Sequence, residues 1–183
     1  MSSEPSINPR AVEETKQQIR GLVDEISALS RQNLAPVRME RSDENLSSRG
    51  AYRLKAASGR RKVILIATGS EVEIAIAVAA NLEGEGIGAD VVSMPCTEMF
   101  DLQPDAYREE ILPDVSNREI LRVSIEAGTT FGWERYTGLH GLRIGIDRFG
   151  ASAPATDLYD HFGITAPKIT ERVLAHINVR EIA

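Results

Sequence analysis

The chain has 183 residues, 42% of them hydrophobic and 26% charged, with a formal net charge of −6. That is enough apolar material for one packed core and a charged, water-facing surface, so one ordinary domain with an appendage is the default reading. Lysine and arginine are dispersed, which argues against a nucleic-acid groove or an anionic membrane as partner. No apolar run approaches the roughly 20 residues a membrane span needs, and the opening MSSEPSINPR has no apolar signal core. Cys96 is the only cysteine, so neither an internal disulfide nor a thiolate metal cluster can form. Cytoplasm is the expected setting.

From Pro9 to Ser30 the pattern is helical. Val12, Ile19 and Ile26 form one seven-residue series, with Thr15, Leu22 and Leu29 as the second. This a/d seam of three heptads is flanked by charges such as Glu13, Lys16 and Asp24. It suits either a surface helix docked on its own domain or a self-association seam, and Gly21 weakens it by roughly 1 kcal/mol. Residues 31–61 are linker-like, with a short strand expected where Ala51 to Leu54 alternate.

After Lys62 strands and helices alternate. Val63 to Ala67 is a continuous apolar run, as a strand covered on both faces requires. A helix is expected over Val72–Leu82, ended by the glycines at 84, 86 and 88. Strand Val91–Met94 follows, closed by Pro95. Then come a helix over Pro104–Leu112, a strand over Glu119–Glu126, helical turns at Phe131–Tyr136 and a strand over Leu142–Asp147. Helices over Pro154–Phe162 and Pro167–Ile177 complete the chain. Helical crossovers between strands predict a mostly parallel five-stranded α/β sheet with helices on both faces, preceded by the N-terminal helix. The helix after Ser70 is apolar at nearly every position from Ile74 to Ala80, so it is either central in the domain or covered on its second side by another domain or subunit, the latter being preferred.

Candidate sites follow from strand ends. Thr68-Gly69-Ser70 joins a strand to a helix, where phosphate is often bound. Ser70 followed by Glu73 instead reads as a capping box, and Glu71 and Glu73 would repel an anion. Gly84 to Gly88 comes after a helix and before a strand, the reverse of a nucleotide loop, and reads as a turn. His140, His161 and His176 lack the spacing of metal ligands. Glu126, closing an apolar strand before Gly128, is the best-placed ionisable residue, because ligands in such sheets gather at the carboxyl ends of strands. Even there a structural or interface role is the default. Cys96 has no evident activating base, so its thiol is expected to be unreactive.

The segments VILIATGSEVEIA, ADVVSMPCTEMFD, YREEILP, VSIEAG and FGASAPATDLYDHFGI, in that order, resemble the C-terminal domain of transketolase. Members of that family are thiamine diphosphate enzymes that move ketol units between sugar phosphates in the pentose phosphate pathway. The resemblance begins near Ala28, where Ala28-Leu29-Ser30-Arg31-Gln32-Asn33-Leu34 is similar to the end of the family's pyrimidine-binding domain. It implies that Arg31 is a remnant of a sugar-phosphate clamp, since guanidinium grips phosphate bidentately. The other clamp residues have no counterpart here.

The resemblance further implies that thiamine diphosphate and Mg²⁺ are held by domains other than this one. The chain has no GDG motif, and the family's cofactor-activating glutamate belongs to the middle domain. The expectation is therefore a chain with no catalytic, cofactor-binding or metal-binding residue of its own. It would act as a non-catalytic docking or dimerisation module, either as a homodimer or on a partner chain that carries the cofactor domains. The alternative is a subunit of a split, two-chain transketolase. The junction inside the family's last middle-domain motif favours a truncation or fusion product.

Overall fold

The structure is a computed structural model and describes residues 36–37, 44–114 and 118–182, all within one compact unit, Pro36–Ala183. The heptad positions from Val12 to Leu29 lie outside the described residues.

A 3₁₀ turn at Leu46–Arg49 leads into β1 (Tyr52–Lys55), and β2 (Arg61–Ala67) and α1 (Glu71–Gly84) follow. Next come β3 (Gly88–Ser93), α2 (Thr97–Asp101), α3 (Asp105–Ile111) and β4 (Leu121–Ile125). The chain continues through α4 (Glu134–Thr137), β5 (Leu142–Ile144), α5 (Ala155–Phe162) and α6 (Ala166–Ile182). The five strands form one sheet in the order β1-β3-β2-β4-β5. β2 is central and pairs in parallel with β3 and β4, while β5 runs parallel to β4. β1 alone is antiparallel, against β3. The α/β sheet is thus mostly parallel, as the alternation of strand and helix implies, and it takes in the strand that alternation placed near Gly50.

Strand residues divide between two cores by the two-residue period of a pleated sheet. Val63, Leu65, Val91, Val123 and Ile125 pack under α1 and α6, against Ala75, Val78, Leu82, Ile169 and Val173. Ile64, Ile66 and Val92 face the other way, toward Phe100, Ile111 and Tyr136 from α2, α3 and α4. Both faces of β2 are dry, which is why its sequence is an unbroken apolar run.

One buried charge ties the edge together. Asp90 on β3 is 2% exposed; it accepts the Ala57 N–H at 2.8 Å and pairs with Arg61 at 3.1 Å and Arg53 at 3.6 Å. A buried carboxylate needs such partners, since an unpaired one costs several kcal/mol.

One local expectation is corrected. Ser70 adopts helical angles and makes no capping hydrogen bond through its side chain. Its hydroxyl donates to Glu71 Oε1 at 2.8 Å, so the adjacent carboxylate has displaced the capping box. The Glu71 and Val72 N–H groups instead donate to the Thr68 and Gly69 carbonyls. The helix α1 also has a water-facing side, made of Glu73, Ala77, Ala80 and Asn81. Its flank is met within the domain by α6, where Asn81 Nδ2 donates to Thr170 Oγ1 at 3.2 Å.

Candidate functional site at the switch point of the sheet

Strand order reverses between β2 and β4: the chain leaves β2 toward β3 on one side and returns to β4 on the other. Parallel sheets open a crevice at the carboxyl ends of such a strand pair. Here those ends are Ala67 and Ile125, in register with each other, so the following loops bring Ser70, Glu71 and Glu126 to one place.

Glu71 is 4% exposed at the first turn of α1. Its Oε1 accepts hydrogen bonds from the Ser70 hydroxyl and from the Tyr159 phenol of α5. Glu126 continues the β4–β5 ladder through its N–H, which donates to the Ile144 carbonyl at 3.0 Å. Its carboxyl is partly buried, and Gly128 leaves room for it: a Cβ there would stand 3.4 Å from Glu126 Cγ. Burial first, and the Glu71 charge second, raise the Glu126 pKa from 4.5 to about 7. The pair therefore holds a proton near neutral pH, on Glu126. Such an arrangement can donate and accept hydrogen bonds at the crevice, and it disfavours anions.

The sign of the linked stability follows from that raised pKa. The folded state binds the proton more tightly than the unfolded chain, so the benefit is complete below about 4.5 and is lost as pH rises through about 7. Allowing for partial solvent screening, the loss is about 1–2 kcal/mol. Glu126→Gln is expected to flatten this dependence and to be the more stable protein at pH 8. Urea midpoints at pH 5 and pH 8 check it, and equal midpoints for the two proteins at pH 8 would refute it.

On the same rim, Asp147 after β5 clasps the loop after β4. Its carboxylate accepts the Thr130 N–H at 2.8 Å and the Thr130 hydroxyl at 2.7 Å, and these bonds hold its pKa below the usual value. Phe131 follows Thr130 and Phe149 lies two residues past Asp147; they are 85% and 100% exposed. A shallow cleft of about 480 Å³ lies beside Phe149, lined by Thr129, Ile146 and Arg148.

Of the residues singled out from sequence, Glu126 is at this crevice. Its charged neighbour Glu71, and the Tyr159 phenol bonded to Glu71, were missed, because the Glu71–Tyr159 contact spans 88 residues and leaves no local pattern. Arg31 lies outside the described residues. Cys96 is partly exposed and its thiol donates toward Glu98 Oε2 at 3.6 Å, a carboxylate that offers no positive charge to stabilise a thiolate. The histidines are separate in role: His161 meets Arg148 at 3.2 Å, His140 meets Arg118 at 3.1 Å, and His176 lies against the His140 carbonyl. Gly84 to Gly88 is a turn, with Gly86 at φ +77° and Glu85 N–H donating to Asn81 and Leu82 carbonyls.

The described residues do not fit a thiamine diphosphate site. The N-terminus of α1, where a diphosphate would be received, carries Glu71 and Glu73, and among the described residues no three His, Cys, Asp or Glu side chains converge on a cation.

Taken together, the topology and its acidic crevice define a doubly wound α/β domain with a carboxyl pair, not a phosphate loop, at its switch point. The family profile described as "Transketolase-like TK C-terminal domain" matches residues 50–165. The chain belongs to the transketolase family, as a C-terminal domain. It is 49% identical over 150 residues to the transketolase of Sinorhizobium medicae, covering 81% of this chain and 21% of that one. Over 146 residues it is 47% identical to transketolase 1 of Escherichia coli, covering 79% and 21% respectively. The solved transketolase of Leishmania mexicana superposes with a TM-score of 0.67 at 41% identity, over 78% of this chain and 20% of that one. A structure titled "Split gene transketolase, inactive beta4 tetramer" shares the fold, with a TM-score of 0.62 at 21% identity over 81% of this chain and 48% of that one. The chain spans about a fifth of the length of the curated relatives it matches.

Proposed function

We propose that this chain is a docking domain for transketolase-type ketol transfer: it assembles with domains that hold thiamine diphosphate and Mg²⁺ and contributes no catalytic group itself. The observation that carries this reading is the pair Phe131 and Phe149. Two exposed phenyl rings, on a loop pair locked by Asp147 and beside an open cleft, are what an interface leaves exposed when its partner is absent. Elsewhere on the crevice the charge is acidic and unsuited to the cofactor's diphosphate. The partner surface is either a second transketolase-type chain or the middle domain of the same assembly, and the proposed setting is the cytoplasm.

The test uses the full chain mixed with a transketolase fragment comprising the two cofactor-binding domains. Light scattering after size exclusion is expected to show a complex. Phe131→Ser with Phe149→Ser is expected to weaken it at least tenfold, about 1.4 kcal/mol, without changing the circular dichroism of the free chain. Calorimetric titration of the chain alone with thiamine diphosphate and Mg²⁺ is expected to give no saturable heat. Saturable cofactor binding, or a complex indifferent to both rings, would sink the proposal.

A split two-chain enzyme is the second reading, favoured by the fold neighbour whose title names a split-gene transketolase. Under it, the same mixture regains ketol transfer on sugar phosphates; under the docking reading alone, the complex forms without activity.

A further inference from the structure

Beside the exposed phenylalanines stands a cation that is held in place and has no counter-charge. Arg148, in the loop after β5, lines the same shallow cleft as Phe149. Its guanidinium carbon lies 5.0 Å from the centre of the Phe162 ring, and its Nη2 is 3.2 Å from Nε2 of His161, both residues of α5. The His161 ring meets Phe162 edge-on, with 4.9 Å between centroids. Arginine has donors only, so in this contact His161 Nε2 accepts, and a neutral imidazole brings no negative charge. Among the described residues no carboxylate forms an ion pair with Arg148. The acids nearest to the two residues in sequence are engaged elsewhere. Asp147 accepts from Thr129 and Thr130, and Asp160 pairs with Lys168 at 2.7 Å.

These contacts narrow what can sit here. Stacking on Phe162 fixes the plane of the guanidinium, so little freedom is lost when a further group binds it. The bond to His161 uses one of five N–H groups, which leaves enough for a two-oxygen grip on an acid. Arginine beside exposed aromatic rings is also the composition of the residues that dominate protein interfaces. A small inorganic anion would use the arginine and leave Phe131 and Phe149 in water. A wholly apolar partner would cover the rings and leave Arg148 desolvated without a counter-charge, which is unfavourable. A protein surface that presents a carboxylate among apolar groups answers both.

We infer that the surface docking on Phe131 and Phe149 places an aspartate or glutamate carboxylate on Arg148. This rests on the docking role proposed above and states which chemistry the partner brings to it.

The test uses the full chain and the transketolase fragment comprising the two cofactor-binding domains, with affinity read by titration calorimetry. The wild-type complex is expected to weaken at least tenfold between about 50 and about 500 mM NaCl, because salt screens the charge pair. Arg148→Met keeps the apolar stem and removes the charge. It is expected to weaken the complex tenfold or more at low salt and to remove most of the salt dependence, which a merely structural role would not do. Arg148 is exposed, so the circular dichroism of the free chain is expected to be unchanged. Arg148→Lys supplies an amine that a water-soluble carbodiimide joins to a carboxylate in direct contact. Peptide mass spectrometry of that variant's complex is expected to find position 148 linked to an aspartate or glutamate of the fragment. If the complex forms and needs both phenyl rings, yet Arg148→Met binds within about twofold of wild type at both salt concentrations, this inference fails and the docking role stands. If no complex forms, both fall. Inorganic phosphate that saturates amide NMR shifts at Arg148 and His161 of the free chain below about 1 mM would assign the arginine to a phosphoryl group and overturn the inference.

Discussion

Gly50→Ala is expected to be among the most destabilising single changes to the domain. Gly50 has φ +80°, a region that costs an L-residue about 1–2 kcal/mol. Space is the larger obstacle: a Cβ there would lie 2.2 Å from the Phe100 amide nitrogen and 2.4 Å from the Cys96 carbonyl oxygen. Those are backbone atoms at the start of α2, so no side chain can swing aside. The Gly50 carbonyl also accepts the Cys96 N–H at 3.0 Å, which locks the two segments at that separation. Relief requires moving α2, and with it Phe100, from the core it shares with Ile64 and Ile66. The combined cost is expected to exceed about 4 kcal/mol, a large part of the 5–15 kcal/mol that stabilises an ordinary domain. Gly84→Ala is the control, since nothing lies within 4 Å of its Cβ position and its φ is ordinary. Urea denaturation should find Gly84→Ala at least as stable as wild type. A cooperative transition for Gly50→Ala within about 1 kcal/mol of wild type would show that the close approach is not rigid.

The second large effect is Leu65→Ala. Leu65 is fully buried at the centre of β2, in register with Val91 on β3 and Val123 on β4, beneath α1. Its neighbours are held by ladders on both sides and cannot close over the space vacated. Leu→Ala at such a site costs about 3–5 kcal/mol, the upper part of the range, because the cavity persists. Leu102→Ala removes the same atoms from a side chain that is 78% exposed, and is expected to change stability by less than about 0.5 kcal/mol. Chemical denaturation of both variants checks the contrast; a Leu65→Ala loss below about 1.5 kcal/mol would mean that the core relaxes freely.

The features readable in sequence were those written in local pattern. Val63 to Ala67 is apolar without a break because both its faces are covered, and the helix after it is bounded by glycines that do end it. The strand near Gly50 shows by alternation alone. The five-residue α2 does not show, being too short to display a helical period. Ser70 and Glu73 look like a capping box, yet Glu71, one residue on, competes for the same hydroxyl, and spacing rules do not register that competition. The site divides in the same way. Glu126 is visible as an acid ending an apolar strand, whereas its coupling to Glu71 depends on which loops the topology brings together. Arg122 did leave a signal: an arginine inside the apolar run Leu121-Arg122-Val123-Ser124-Ile125 of a strand buried on both faces must meet something polar, and its Nη1 donates to the Tyr136 carbonyl at 2.8 Å.

The arrangement of the sheet edges has a consequence for aggregation through the backbone. Main-chain polymerisation needs an open strand whose amides accept another copy. At one border stands β1, a four-residue edge strand running against β3 and carrying Arg53 and Lys55, charged side chains that discourage pairing with another strand. At the other border β5 offers only three residues. Fibre-like extension through the backbone has little to start from.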